Sequence, residues 1–279
     1  VCFGDIIDDI VVVPSGPIRD DTDTPSVIRK RPGGSPANTA AWLGALGASV
    51  DFVGEVGRGD AATHAAGLPG VTAHLREHPT LPTGTIVVIV AGQSRSMLTS
   101  RGANAALDPA DVTPELLESA AVLHLTGHAL LNDAGLGDLI ARARAAGAAV
   151  SISPGSAGFI SDFGVAAFRA AIAGASVLFP SLDEGRLLTG LDDPAAIAQA
   201  LGRDFDTVVL TMGARGVLVN GVTVPAVTTD IVDPTGAGDA FCAGFLDEWV
   251  RAGDALAAAR AGVAVAARAV GAIGARPTA

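Results

Sequence analysis

Lysine is almost missing from this chain: Lys30 is the only one, and arginine carries nearly all of the positive charge. With a formal net charge of −11 over 279 residues, no basic face of the kind that holds nucleic acid is visible. Cysteine is nearly as scarce. Cys2 and Cys242 sit at opposite ends of the chain, which argues against a disulfide scaffold and for a reducing cytoplasm as the setting. The opening Val1-Cys2-Phe3-Gly4-Asp5 turns acidic too soon for a signal peptide. The alanine-rich run 257–269 is broken by Arg260 and Arg268, so no membrane span is expected. The five histidines fall in no His-Glu-x-x-His pattern, and no Gly-x-Ser-x-Gly elbow occurs. Zinc and serine hydrolase chemistry lose their usual marks. A Gly-x-x-x-x-Gly-Lys-Ser/Thr string is absent too, which excludes a Walker-type phosphate loop. Tyrosine does not occur, and aromatic residues make up 4%.

What is present is apolar. Hydrophobic residues form 49% of the sequence, enough for a large core and incompatible with a disordered chain. Val1–Gly4 reads as a buried strand, 50–54 as another, and Gly57-Arg58-Gly59-Asp60 opens a short helix to Ala66. From about residue 120, apolar runs at 121–125, 148–152 and 176–179 alternate with helical patterns at 133–146 and 163–173. That rhythm predicts a mostly parallel sheet with helices on both faces, an α/β fold. A different pattern interrupts it. Runs at 10–13, 26–31, 85–90 and 96–100 read as short strands of a small β lid, formed by about 10–32 and 84–101. A hairpin turn is expected at Ala91-Gly92-Gln93-Ser94 and a compact connection over 68–82. One domain, 1–279, carries the whole.

Two strings stand out for chemistry. Asp233-Pro234-Thr235-Gly236-Ala237-Gly238-Asp239 lies between a β-type run, 222–227, and a long apolar helical run. Small residues at 236–238 let backbone N–H groups approach an anion at a helix N-terminus. Asp239, in the first turn, can take a proton beside it. The same residues also read as a turn with Thr235 or Asp239 capping the helix. About two hundred residues earlier, Gly33-Gly34-Ser35-Pro36-Ala37-Asn38-Thr39-Ala40 leads into a helix with Ser35 at the cap and Pro36 at its first position. Gly33 and Gly34 admit a small polar ligand, and Asn38 offers both a donor and an acceptor to hydroxyls. A capped helix alone explains the string equally. Asp5, Asp8 and Asp9 follow the first strand, where open sheets bind ligands. His128, beside the strand end at Gly127, can reach the same place or serve as a structural residue, and Arg101, after the last lid run, reads as a hinge residue.

The strings 33–40 and 233–241 together resemble the two signatures of the PfkB/ribokinase family of carbohydrate and nucleoside kinases, and the resemblance covers nearly the whole chain. It implies a ribokinase-like fold and an ATP- and Mg²⁺-dependent transfer of phosphoryl to a hydroxymethyl group of a sugar or sugar-like molecule. Asp239 would be the base and Gly236, Ala237 and Gly238 the anion hole. Asp9, Gly33, Gly34, Asn38 and Arg101 would hold the acceptor. Pro180-Ser181-Leu182-Asp183-Glu184 stands where the family has Asn-x-x-Glu; Glu184 would hold Mg²⁺ through water, while Ser181 replaces the usual Asn. Thr211-Met212-Gly213-Ala214-Arg215-Gly216 resembles the family's Thr-x-Gly-x-x-Gly turn, so Thr211, Gly213, Gly216 and Thr235 would face the nucleotide. Asp233 is a candidate ligand for K⁺. A homodimer through the lid is implied as well. A nucleoside kinase, and a non-catalytic sugar- or nucleotide-sensing protein on the same scaffold, stay open beside the sugar kinase.

Overall fold

Buried side chains alternate sides along short apolar strands, and that alternation sets the architecture. The computed structural model describes residues 1–91, 94–132 and 135–277. Strand β1 (Cys2–Phe3) is followed by β2 (Ile7–Pro14), β3 (Ser26–Gly33), helix α1 (Ser35–Ala45), β4 (Asp51–Gly57), α2 (Ala61–Ala66) and β5 (Thr72–His78). Then come β6 (Gly84–Ala91), β7 (Ser94–Ser100), α3 (Pro114–Glu118), β8 (Val122–Thr126), α4 (Leu136–Ala145) and β9 (Ala149–Ser153). The chain continues through α5 (Ala157–Phe163), α6 (Val165–Ala171), β10 (Val177–Leu178), α7 (Leu182–Thr189), α8 (Pro194–Leu201) and β11 (Thr207–Thr211). It closes with β12 (Val217–Val219), β13 (Val222–Val224), α9 (Ala237–Ala252) and α10 (Ala255–Val270).

Among the described residues, nine strands form one sheet in the order β13-β12-β11-β10-β9-β8-β1-β4-β5. From β5 across to β11 neighbours run parallel; β12 and β13 turn back antiparallel. The chain first builds outward from β1 through β4 to β5, then returns to β8 on the other side of β1. That reversal makes the carboxyl ends of β1 and β8 the expected ligand crevice. Cys2, Phe52, Val122, Val177 and Val209 pack with α1, α9 and α10 on one face. Phe3, Val53, Leu123, Leu178 and Leu210, each next to one of these in sequence, pack with α3 to α8 on the other. Helices α9 and α10 lie close because Gly244 and Gly262 face one another's helices: a Cβ on Gly262 would meet the Phe241 ring at 2.7 Å. Among the described residues, no helix is long and apolar enough to cross a membrane.

A second sheet has the order β3-β2-β6-β7. β2 pairs with β3 antiparallel and with β6 parallel, and β6 with β7 antiparallel. It is built from the four runs predicted as the lid, but β2 is longer than expected. It starts at Ile7, so Asp8 and Asp9 are strand residues paired opposite Pro32 and Arg31 rather than loop residues after β1.

Other expectations need correction. The helix expected at 163–173 is α6, which begins after Gly164 and ends at Ala171, and it is preceded by a helix not foreseen, α5, which ends at the same glycine. The connection expected over 68–82 contains β5, whose pairing with β4 extends the sheet by an edge strand. Its mixed Thr72-Ala73-His74-Leu75-Arg76-Glu77-His78 sequence hides the strand, because one flank faces solvent. The run 222–227 is strand only to Val224; Pro225 cannot donate to the ladder. The expected turn at Gly92-Gln93 and the expected helix start at Asp133 lie outside the described residues.

Candidate active site

Helix α9 begins at Ala237, with Gly236 as its cap residue at φ 77° and no side-chain cap among the described residues. Neither Thr235 nor Asp239 caps it, so that expectation is corrected. A Cβ on Gly236 would lie 2.6 Å from the Ala275 Cα, so both the left-handed backbone and the close approach require glycine here. The Ala237 N–H, expected to join the anion hole, donates to the Pro234 carbonyl at 3.3 Å. With no side chain across the helix end, Gly238 and Asp239 carry the first-turn N–H groups at the positive end of the dipole. The chain leading into this turn is pinned by Asp233. Its Oδ1 accepts the Thr235 N–H at 3.0 Å and its Oδ2 the Gly274 N–H at 3.0 Å.

Asp239 is the third residue of α9, and three residues at the start of α1 converge on it. Ser35 Oγ donates to Asp239 Oδ1. Asn38 Nδ2 donates to Oδ2 at 3.0 Å, and Thr39 Oγ1 to the Asp239 backbone carbonyl at 3.4 Å. Ser35 was expected to cap α1. Instead Gly34, at φ 93°, is the cap residue and Ser35 the first residue of the helix, which frees its hydroxyl for Asp239. Pro36 is therefore the second residue of the helix rather than the first, the place expected from a cap at Ser35. Burial pushes the Asp239 carboxyl up to about 6; the two hydrogen bonds pull against that shift, Asp9 adds to it and Arg276 opposes it.

Asp9 reaches the same crevice from β2. A Cβ on Gly33 would come within 2.3 Å of its Oδ2, so the double glycine admits this carboxylate as well as any ligand. Burial also lifts Asp9 to about 6, against the pull of Arg276. Gly34 sits against the Asp5 carbonyl, where a Cβ would lie at 2.2 Å.

Arg276 ties these pieces together, and the sequence offered no sign of it. Its Nε donates to Asn38 Oδ1 at 3.0 Å, its Nη1 to the Gly67 carbonyl at 3.0 Å and its Nη2 to the Gly33 carbonyl at 2.8 Å. Burial lowers its pKa to about 10, with Asp9 and Asp239 opposing the shift. The tail after α10 has no periodic pattern, so nothing short of tertiary structure marks the residue. Beside it, His64 and Lys30 both approach Asp8, at 3.7 Å and 2.7 Å.

Arg101 is placed at the hinge of the small sheet. It donates to Asp5 Oδ1 at 3.3 Å and to the carbonyls of Asn104 and His128 at 3.2 and 3.4 Å. That is the hinge arrangement rather than an open substrate contact. Burial raises Asp5 and lowers His128; the Asp5–His128 attraction opposes both shifts, while Arg101 opposes that of Asp5 and adds to that of His128.

The predicted nucleotide side lies on the same edge of the sheet, beyond β10 and β11. Ser181 caps α7 in a capping box: its Oγ accepts the Glu184 N–H at 3.3 Å, and Glu184 Oε2 accepts the Ser181 N–H at 2.6 Å. Glu184 is 6% exposed, and burial raises its pKa. Ser181 also bridges to Thr211, whose Oγ1 donates to the Pro180 carbonyl at 3.4 Å. Gly213 faces open space, with nothing within 4 Å of a Cβ there. Gly216 does not: a Cβ would meet the Val224 carbonyl at 2.0 Å, so it serves the β11–β12 turn and is not brought to the crevice. Among the described residues, no three His, Cys, Asp or Glu side chains gather as a metal site. The uncapped α9 start and the open Gly213 turn leave room for a polyphosphate, while one oxygen of the buried Glu184 carboxylate is taken by the Ser181 N–H.

The pfkB family carbohydrate kinase profile matches residues 1–279. An ATP-dependent ribose-1-phosphate kinase of Halopiger xanaduensis is 32% identical over 246 residues, covering 81% of this chain and 76% of that protein. The bifunctional protein HldE of Shewanella baltica is 30% identical over 262 residues, 85% of this chain; the chain spans about half of that relative, 52% of its length. Among solved structures, adenosine kinase from Sinorhizobium meliloti is similar with a TM-score of 0.87 at 24% identity, over 99% of this chain and 95% of that one.

Proposed function

The chain belongs to the pfkB family of carbohydrate kinases, and on that premise we propose that it moves the γ-phosphoryl group of ATP to a hydroxymethyl group of a small sugar, with Asp239 as the base. The observation that carries this reading is Asp239 itself: a carboxylate in the first turn of an uncapped helix, hydrogen-bonded by Ser35 and Asn38. Asp239 takes the proton of the acceptor hydroxyl as its oxygen attacks phosphorus. A base with a pKa of about 6 is ionised at neutral pH and still basic enough to help. The N–H groups of Gly236 and Gly238 face the charge on the phosphoryl group in flight, while the Ala237 N–H is held by the Pro234 carbonyl. Mg²⁺, when bound, neutralises the triphosphate, and Glu184 is the residue that would hold it through water. Thr211, Gly213 and Thr235 line the nucleotide side. Asp9, Asn38 and the Gly33–Gly34 backbone hold the acceptor, and the small sheet carrying Asp9 closes over it to exclude water.

A sugar rather than a nucleoside fits the aromatic inventory. Apart from Phe159 and Phe163, the phenylalanines are buried in the core, and tyrosine is absent. Little flat apolar surface is left as a shelf for a second base. The name of the Halopiger relative adds ribose 1-phosphate to the acceptors worth testing. A screen of ADP formation tests the reading, with D-ribose, D-fructose, 2-keto-3-deoxygluconate, ribose 1-phosphate and adenosine as acceptors. It is run with and without K⁺, for which Asp233 is the candidate ligand. Turnover with adenosine alone would replace the sugar reading by the nucleoside one.

Ile28, Met97 and Leu98 on the small sheet are each more than half exposed, and we assign them to a homodimer contact, read by sedimentation of Met97→Lys against the parent protein. A cytoplasmic setting goes with ATP supply and with Cys2 and Cys242 as free buried thiols.

A further inference from the structure

We propose that Arg276 is a positioning residue for the phosphoryl transfer: it sets the orientation of the Asn38 amide, and through that amide the Asp239 carboxylate. The inference rests on the reading of Asp239 as the base. Its physical ground is an asymmetry of hydrogen-bonding groups. A guanidinium has only donors, so the Asn38 atom 3.0 Å from Arg276 Nε must be the oxygen. The amide nitrogen is then on the other side, and it meets Asp239 Oδ2 at 3.0 Å. Without Arg276 the Asn38 oxygen loses its donor, the Asp239 carboxylate alone then orients the amide, and the Nδ2 donor is held less firmly against the base.

The guanidinium is itself held in place. Nη2 and Nη1 donate to the carbonyls of Gly33 and Gly67, on the segment leading into α1 and the one leaving α2. Three bonds to three segments leave its plane little freedom, which is the property a positioning group needs. The tail that carries it is anchored independently. Trp42 Nε1 donates to the Ala275 carbonyl at 2.9 Å, and the Gly274 N–H donates to Asp233.

Charge acts in the same direction as geometry. The groups facing Asp239 are Ser35 and Asn38 from α1, Asp9 from β2 and Arg276 from the tail. Asp239 also adds to the upward shift of Cys242, three residues on in α9, and Glu184 from α7 does the same. Arg276 is the cation of this set. Its loss leaves Asp9 and Asp239 to repel one another, so the Asp239 carboxyl should bind its proton more tightly.

The test uses the acceptor turned over fastest in the screen above. Arg276→Met should lower kcat by about a hundredfold and move the acid limb of the kcat–pH profile up by about one unit, with KM for ATP unchanged. Arg276→Lys, which keeps the charge and loses the fork, should restore the acid limb but only part of kcat. Arg276→Met combined with Asn38→Ala should be no worse than the worse single variant, because both act on one carboxylate. A parent-like kcat with an unshifted limb in Arg276→Met overturns the proposal. So do losses that multiply in the double variant, and so does an effect confined to the acceptor KM. Thermal unfolding of each variant identifies a folding defect; if Arg276→Met fails to fold, the kcat of Arg276→Lys, where a parent-like value overturns the proposal, and the Asn38→Ala comparison in that background decide. Turnover retained by Asp239→Asn would instead remove the base assignment, a result separable from any behaviour of Arg276.

Discussion

Asn38 and Asp239 meet side chain to side chain, Nδ2 to Oδ2 at 3.0 Å, although 201 residues separate them in sequence. One lies on the first turn of α1 and the other on the first turn of α9, so the contact joins the two helix starts that bound the crevice. A donor to a carboxylate favours its ionised form, and that gives the first prediction. Asn38→Leu should raise the Asp239 pKa above its value of about 6. A hydrogen bond to a charged group is worth about 1.5–3 kcal/mol, or roughly one to two pH units. The acid limb of kcat should therefore move upward, and turnover at pH 7 should fall while turnover at pH 9 is less affected. A limb that stays put removes the hydrogen bond from the control of the base.

Gly236 combines a left-handed backbone with contact to Ala275. Gly236→Val should cost about 1–3 kcal/mol in strain and displacement of the tail. Both urea unfolding and turnover should report it. A variant with parent-like stability would show that the turn can move aside.

Asp9 makes a prediction for stability against pH. Its folded pKa is about 6, above the ordinary value of 3.8. Between those values the native protein holds a proton that the unfolded chain has released, so this group's contribution to stability falls as pH rises through that window. Asp9→Asn removes the titration. Relative to the parent it should gain stability from pH 4 to pH 7, on the order of 1–3 kcal/mol, and the gain should level off above the folded pKa. Urea unfolding at pH 4, 5, 6 and 7 gives the curve. A difference independent of pH would contradict the assignment of the shift to Asp9.

Ser181 separates helix capping from nucleotide binding. Asparagine is as good a cap as serine, so Ser181→Asn should keep the thermal stability, whereas Ser181→Ala should lose about 1 kcal/mol. The longer amide also reaches further from α7, and KM for ATP at limiting Mg²⁺ is expected to fall in Ser181→Asn. An unchanged KM would confine this position to its capping role.

Local signals carried much of the architecture. Apolar strands alternating with helical runs after residue 120 are written in periodicity, and the glycine turns before α1 and α9 are written in composition. Gly33–Asn38 and Gly236–Asp239 were readable because a close backbone approach restricts residue type. The missed features depend on distant partners. Ser35 looks like a cap by its place before Pro36, yet its hydroxyl turns to Asp239. Arg276 follows the last helix without any pattern, and its value comes from Gly33, Asn38 and Gly67. Gly216 matched a phosphate-turn string, but its space is taken by Val224. Strand β5 has too mixed a sequence to be recognised away from β4.

The most direct test of the central claim is ADP formation by Asp239→Asn, measured with ATP, Mg²⁺ and the best sugar of the acceptor panel, alongside binding of that sugar by calorimetry. The expected result is a fall in kcat of several orders of magnitude with sugar binding largely kept, because the carboxylate acts on the proton in flight rather than on the resting acceptor. A variant that binds the sugar and turns over at a rate near the parent's would contradict the account, and would take Asp239 out of the chemistry.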